Sequence, residues 1–144
     1  MTSPRPTPAL MPRRAPATAA DQKLIAPAPP VAGRSYRSLW EQAVLSSSLP
    51  PHARLVAIAL ATHADPAGQI AQQPRLIGLV HDTSLYVAQV AVALTALRAR
   101  GLLRKTRPAD RYETADLLLT IPNSVMARLK KTGRPATDRT TTHA

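Results

Sequence analysis

The sequence predicts a mainly helical α+β domain, a three-helix core carrying one small β-hairpin. Three observations carry that prediction. Leu76, Leu79 and Val80 form a short apolar-periodic run that stops at Asp82, Thr83 and Ser84. A longer run follows through Leu85, Val90, Leu94 and Leu97 and ends at Gly101, the usual punctuation of a helix C-terminus. Beyond it, residues 102–106 and 114–121 read as strands, and the connection between them carries Pro108 and Asp110, as a hairpin tip should.

The elements can be justified in chain order. Residues 1–35 are crowded with Pro, Ala and Thr and carry Arg5, Arg13, Arg14, Lys23 and Arg34 against one acid, Asp21. Such a segment has too little apolar pattern to offset its ordering entropy, so a disordered basic arm is expected, and its deletion should leave thermal stability nearly unchanged. The domain is expected over residues 36–131. Leu39, Trp40, Ala43 and Val44 predict a short leading helix over 38–45, with Trp40 packed inside. Ser48 is placed to cap a long helix that takes Pro50 and Pro51 in its first turn and runs to about His63. Asp65 to Gly68 reads as a turn, and Gln69, Ile70 and Ala71 as a short first strand. After Pro122, Asn123 can cap a trailing helix to about Lys130, and residues 132–144 are expected to form a disordered basic tail.

Charge points to the class of partner. The 144 residues hold 19 Lys+Arg against 8 Asp+Glu, a formal net charge of +11, which suits a polyanion and nucleic acid first among polyanions. Arg-, Ala- and Pro-rich usage also follows from a GC-rich genome, but composition alone does not place Arg104, Lys105, Arg107 and Arg111 within eight residues. There is no cysteine, hence no disulfide and no thiolate chemistry, and no apolar run approaches a membrane span. A cytoplasmic, nucleoid-associated protein with no membrane contact is the expectation.

The stretch from Leu79 to Leu103 resembles the core of winged helix-turn-helix regulators, whose pattern is L-A-x-x-T-G-L-S-x-x-T-V-x-x-x-L-x-x-L-x-x-x-G-L-L. Leu79, Thr83, Leu85, Val90, Leu94, Leu97, Gly101, Leu102 and Leu103 fall on matching positions without a gap. Ser84 stands where glycine is usual, Tyr86 where serine is usual, and Gln89 where threonine is usual. The resemblance covers about residues 49–122, and composition together with residues 40–68 is similar to helix-turn-helix proteins of actinobacteria and their mobile elements.

That resemblance implies double-stranded DNA as partner and transcriptional regulation as role. It puts Tyr86, Gln89 and Thr95 toward the major groove, Thr83 and Ser84 near the backbone at the turn, and Arg104, Lys105, Arg107 and Arg111 on phosphate or in the minor groove. The outward side chains Val87, Ala88, Ala91 and Val92 offer bases no donor or acceptor. They leave open reading by backbone and shape, or a protein partner on that apolar face; a homodimer, with no surface assigned to it, also stays open. A replication or maintenance factor of a plasmid or phage is the other functional alternative. Residues 130–135 resemble part of an AT-hook, with Thr132 where a second Arg is usual.

No catalytic residue, cofactor or metal is expected. His63 with Asp65, and His81 with Asp82, are the close His–carboxylate pairs, and each adjoins a helix end, where such residues cap or oppose the dipole. Ser46, Ser47 and Ser48 carry no nucleophile motif, and no glycine-rich phosphate loop occurs.

Overall fold

The computed structural model describes residues 18–132. In order these form α1 (Ala19–Ile25), α2 (Tyr36–Ser46), α3 (Pro51–Thr62), α4 (Arg75–Thr83), α5 (Val87–Ala99), β1 (Leu103–Lys105), β2 (Leu117–Leu119) and α6 (Asn123–Thr132). Mainly helical with one two-stranded antiparallel sheet, the described residues have the expected α+β class.

The central helix is α3, which packs on α2, α4 and α5. Its buried face is Ala53, Val56, Ala57, Ala59, Leu60 and Ala61, and the four alanines let neighbouring helices approach closely. Large apolar groups then come from the partners: Leu39 and Trp40 on α2, Leu79 on α4, Leu94 and Leu97 on α5. Trp40 is completely buried, and its Nε1 donates to the Leu102 carbonyl at 2.7 Å, so the indole's one polar atom is satisfied. The Ile121 N–H donates to the Tyr36 hydroxyl at 2.9 Å, and burial pushes that phenol's pKa up.

Helix boundaries follow from local chemistry. At α3, Ser48 is not the cap: Pro50 occupies that position in extended conformation and the helix starts at Pro51. A residue before proline is driven out of the helical region, so Leu49 and Pro50 cannot be helical, and Pro51 lacks an N–H that would need capping. At the end of α5 the Gly101 N–H donates to Arg98 O and the Leu102 N–H to Leu97 O, the paired bonds of a Schellman motif. Gly101 has φ 72°, and a Cβ there would lie 2.9 Å from Pro122 Cγ, so glycine is required twice over.

The hairpin pairs Leu103 with Leu119 and Lys105 with Leu117. Both strands are shorter than the sequence suggested, and the segment leading into β2 lies against the start of α4. Leu76 N–H donates to Tyr112 O, and the Arg75 guanidinium reaches Thr114 O and, at 3.6 Å, the Asp116 carboxylate. The strand expected at residues 69–71 does not form. One side chain takes its place on the sheet edge: Gln73 Oε1 accepts the Leu117 N–H at 2.9 Å, and its Nε2 donates to Leu117 O at 3.1 Å.

The N-terminal expectation needs correction over residues 18–35. Thr18 and Asp21 make a capping box that starts α1, and Ser35 caps α2. Between them the Ala28 N–H donates to Ile121 O at 2.7 Å, the Asn123 N–H to Ala26 O at 2.9 Å, and Asn123 Nδ2 to Lys23 O at 2.8 Å. The segment is thus held on the start of α6 by backbone pairing, which leaves no trace in apolar periodicity. Asn123 opens α6 as its first residue and uses its side chain to hold Lys23, instead of standing before the helix as a cap. Residues 1–17 of the expected arm, residues 133–144 of the expected tail and the Gly133 to Pro135 part of the AT-hook-like stretch lie outside the described residues.

Candidate nucleic-acid interface

Helices α4 and α5 are joined by Ser84, Leu85 and Tyr86, and their axes bend by 108° across this break. Ser84 makes the corner in the left-handed region at φ 59° and ψ 18°, where a non-glycine residue costs roughly 1 kcal/mol. Its N–H donates to Val80 O, closing α4. Thr83, expected near DNA, sits instead inside the corner at 9% exposure. Its hydroxyl donates to Leu79 O at 2.7 Å and accepts the Leu85 N–H at 3.3 Å, so both its roles are structural.

The polar groups of the first turns of α5 are largely engaged as well. Gln89 Oε1 accepts the Tyr86 N–H at 2.9 Å, satisfying one of the open donors of the helix start. A bidentate contact to adenine needs that oxygen free. Thr95 Oγ donates to Ala91 O and lies 3.0 Å from the Tyr112 hydroxyl, so it ties the hairpin connection to α5. Tyr86 alone of these three projects freely, at 79% exposure. Beside it stand the apolar Val87 and Val92, 50% and 69% exposed, and Ala88. Between α5 and the start of α3 lies a groove of about 280 Å3 lined by Pro50, His52, Ala53, Ala88, Gln89, Val92 and Ala93.

The basic hairpin behaves differently. Arg104, Arg107 and Arg111 are exposed and make no side-chain hydrogen bond or ion pair among the described residues. Lys105 is partly tethered: Nζ donates to Asp110 O at 2.6 Å and lies 4.3 Å from the Tyr112 ring centroid. Two further arginines belong to this surface and were not picked out from the sequence. Arg98 donates weakly to the Tyr112 hydroxyl at 3.4 Å, and Arg100 donates to the Ser48 carbonyl and hydroxyl. Their signal was the run Leu97-Arg98-Ala99-Arg100-Gly101, read only as a helix end.

The His–carboxylate pairs are rearranged. His63 contacts Asp82, at 2.7 Å, while Asp65 accepts the Gln69 N–H within its own turn. The hydrogen bond from His63 holds the Asp82 carboxyl below its ordinary pKa against the opposing effect of burial, with His81 at 3.8 Å adding a lesser lowering. This pair ties the end of α3 to the end of α4. Among the described residues no group of three His, Asp or Glu could hold a metal, and no single helix is long and apolar enough to cross a membrane. Compared with known proteins, the chain matches no family model, no curated protein and no solved structure.

Proposed function

We propose that the protein binds double-stranded DNA through a winged helix-turn-helix, with α4 and α5 as the motif and the β1–β2 hairpin as the wing, in the service of transcriptional regulation. The observation that carries this reading is the 108° bend across a three-residue turn, inside the range of about 90–120° and 3–4 residues that the motif uses. Readout is by backbone and shape more than by base edges. The hydroxyls of Thr83 and Thr95 and the amide oxygen of Gln89 are engaged within the protein, while Arg104, Arg107 and Arg111 stand free beside the motif.

The test is fluorescence anisotropy with several unrelated duplexes between about 50 and 200 mM salt, where affinity should fall with a log–log slope of several units, about 0.9 per phosphate neutralised. The duplexes should differ little from one another. Affinity that hardly responds to salt would overturn the proposal, and affinity confined to one sequence would overturn readout by backbone and shape.

A second reading rests on the apolar groove between α3 and α5, which an adaptor could use for a protein partner. It would replace the first if Ala91→Glu abolished a protein association while neutralising Arg104, Lys105 and Arg107 left duplex binding intact.

A further inference from the structure

The arginines that sequence reading passed over share a feature with the hairpin. Arg98, Leu103, Arg104, Lys105 and Pro108 line a depression of about 280 Å3. A second, of about 360 Å3, shares Arg98, Leu103 and Arg104 and continues past Arg100 and Gly101 to Ser124 at the start of α6. The two share three residues and so adjoin, and together they make a furrow-like line of concave surface from the hairpin connection past the C-terminal end of α5 to α6. Among the described residues, no carboxylate lines it.

Cations at a helix C-terminus are ordinarily explained by the dipole, and Arg98 and Arg100 fit that account. Arg104 does not: it lies on β1, exposed, and its side chain makes no hydrogen bond or ion pair among the described residues. Lys105 follows it on the same strand. The nearby carboxylate of Asp116 pairs with Arg75 instead of turning toward the furrow. Guanidinium groups gathered along a concave path without counter-charge suit an anion that is itself extended, with oxygens presented at intervals.

We infer that this furrow holds successive phosphate groups of one DNA strand, with Arg98 and Arg104 as the central contacts and Arg100 and the Ser124 hydroxyl toward its far end. The inference rests on the DNA-binding reading and adds to it where the backbone runs: along the C-terminal end of α5 and over β1, not along the uncharged first turns of α5. Free phosphate has the same chemistry, so the source must be told apart by experiment.

The experiment compares the full chain with Arg98→Gln/Arg104→Gln and with the single charge reversal Arg104→Glu, an exposed site that removes no internal bond. Arg34→Gln, outside the furrow, is the charge control. Thermal melts followed by circular dichroism establish that each variant is folded. With a short duplex as probe, the double variant should lose about 1–2 units of salt slope, at about 0.9 per phosphate contact, with Arg34→Gln showing a smaller loss. Arg104→Glu should weaken binding more than tenfold. Inorganic phosphate should displace the duplex no better than chloride at matched ionic strength.

If the parent binds duplex and the furrow variants bind it equally well, the furrow is not the backbone path, while the DNA reading stands. If inorganic phosphate instead binds the parent without displacing duplex, and those variants lose that binding while keeping duplex affinity, the furrow takes the free anion and the proposal is overturned. A parent chain that does not bind duplex sinks both readings together.

Discussion

The two ends of α5 make opposite use of their polar groups. In the first turns, Gln89 caps the helix start, and the residues facing out are Tyr86, Val87, Ala88 and Val92. At the other end Arg98 and Arg100 join Arg104, Lys105, Arg107 and Arg111, and among the described residues none of these six cations has a carboxylate partner. A hydrogen-bonding side chain can read a base only if its donors and acceptors are not already satisfied, whereas a cation keeps its long-range field even when one N–H is occupied. The difference teaches that residue type alone overstates what a helix can recognise. The first turns hold the right residue types in engaged form, and the far end holds charge in usable form.

The sharpest way to break this contrast is to remove the charge. Replacing Arg104, Lys105 and Arg107 with Ala should cost affinity for every duplex alike and lower the salt slope by about 2–3 units, measured by anisotropy across a salt series. A variant that kept the parent's slope would show that the charged end is not the contact surface. Next in size, Thr83→Val should destabilise the fold by about 1–2 kcal/mol in denaturant melts, because the Leu85 N–H loses its acceptor inside a buried corner. Its duplex affinity, measured where the protein is folded, should stay unchanged; a selective loss of affinity would return Thr83 to the interface. Gln89→Ala should remove only a helix-start hydrogen bond, about 0.5–1 kcal/mol, and leave the ranking of duplex sequences as it was. A changed ranking would mean that the amide leaves Tyr86 to read a base.

The smallest effect is one of pH. Asp82 has a lowered pKa, so its folded form binds its proton less readily than the unfolded chain does. The stability it contributes is therefore present above the ordinary carboxylate value and lost as pH falls through the lower, folded value. Melting temperatures of the parent and Asp82→Asn should differ at neutral pH, and the gap should begin to close only as pH falls below the ordinary carboxylate value of about 4. A gap that persisted in acid would show that the Asp82 contact with His63 contributes by packing and not by charge.

Much of the architecture was legible in the sequence, and the reasons are local. Leu79, Val90, Leu94 and Leu97 repeat at helical spacing and are buried, and Gly101 stops α5 with a left-handed conformation that few other residues adopt. Long-range hydrogen bonding was not legible. Gln73 replaces a strand because it meets Leu117, 44 positions away, and residues 26–28 are fixed by Ile121 and Asn123. Those contacts correct the expected effect of deletion: removing residues 1–34 should lower the melting temperature, because Ile121 and Asn123 lose their partners. Among the expected DNA-facing residues, Arg104, Arg107 and Arg111 are exposed as a contact role requires, Lys105 is partly held, and Thr83, Gln89 and Thr95 are engaged internally. Side-chain partners are set by three-dimensional approach, which periodicity does not encode.

Trp40 gives the molecule a built-in optical probe. It is the sole tryptophan, fully buried, and its indole nitrogen is bonded to Leu102 O, one residue beyond the glycine that ends α5 and one before β1 begins. Its emission therefore needs no dye and no engineered label to report the junction where the helix meets the hairpin. A blue-shifted spectrum in the folded chain should move to longer wavelength once that junction opens. A red shift that preceded the loss of helical circular dichroism would identify the seam between helix and hairpin as the first part of the domain to come apart.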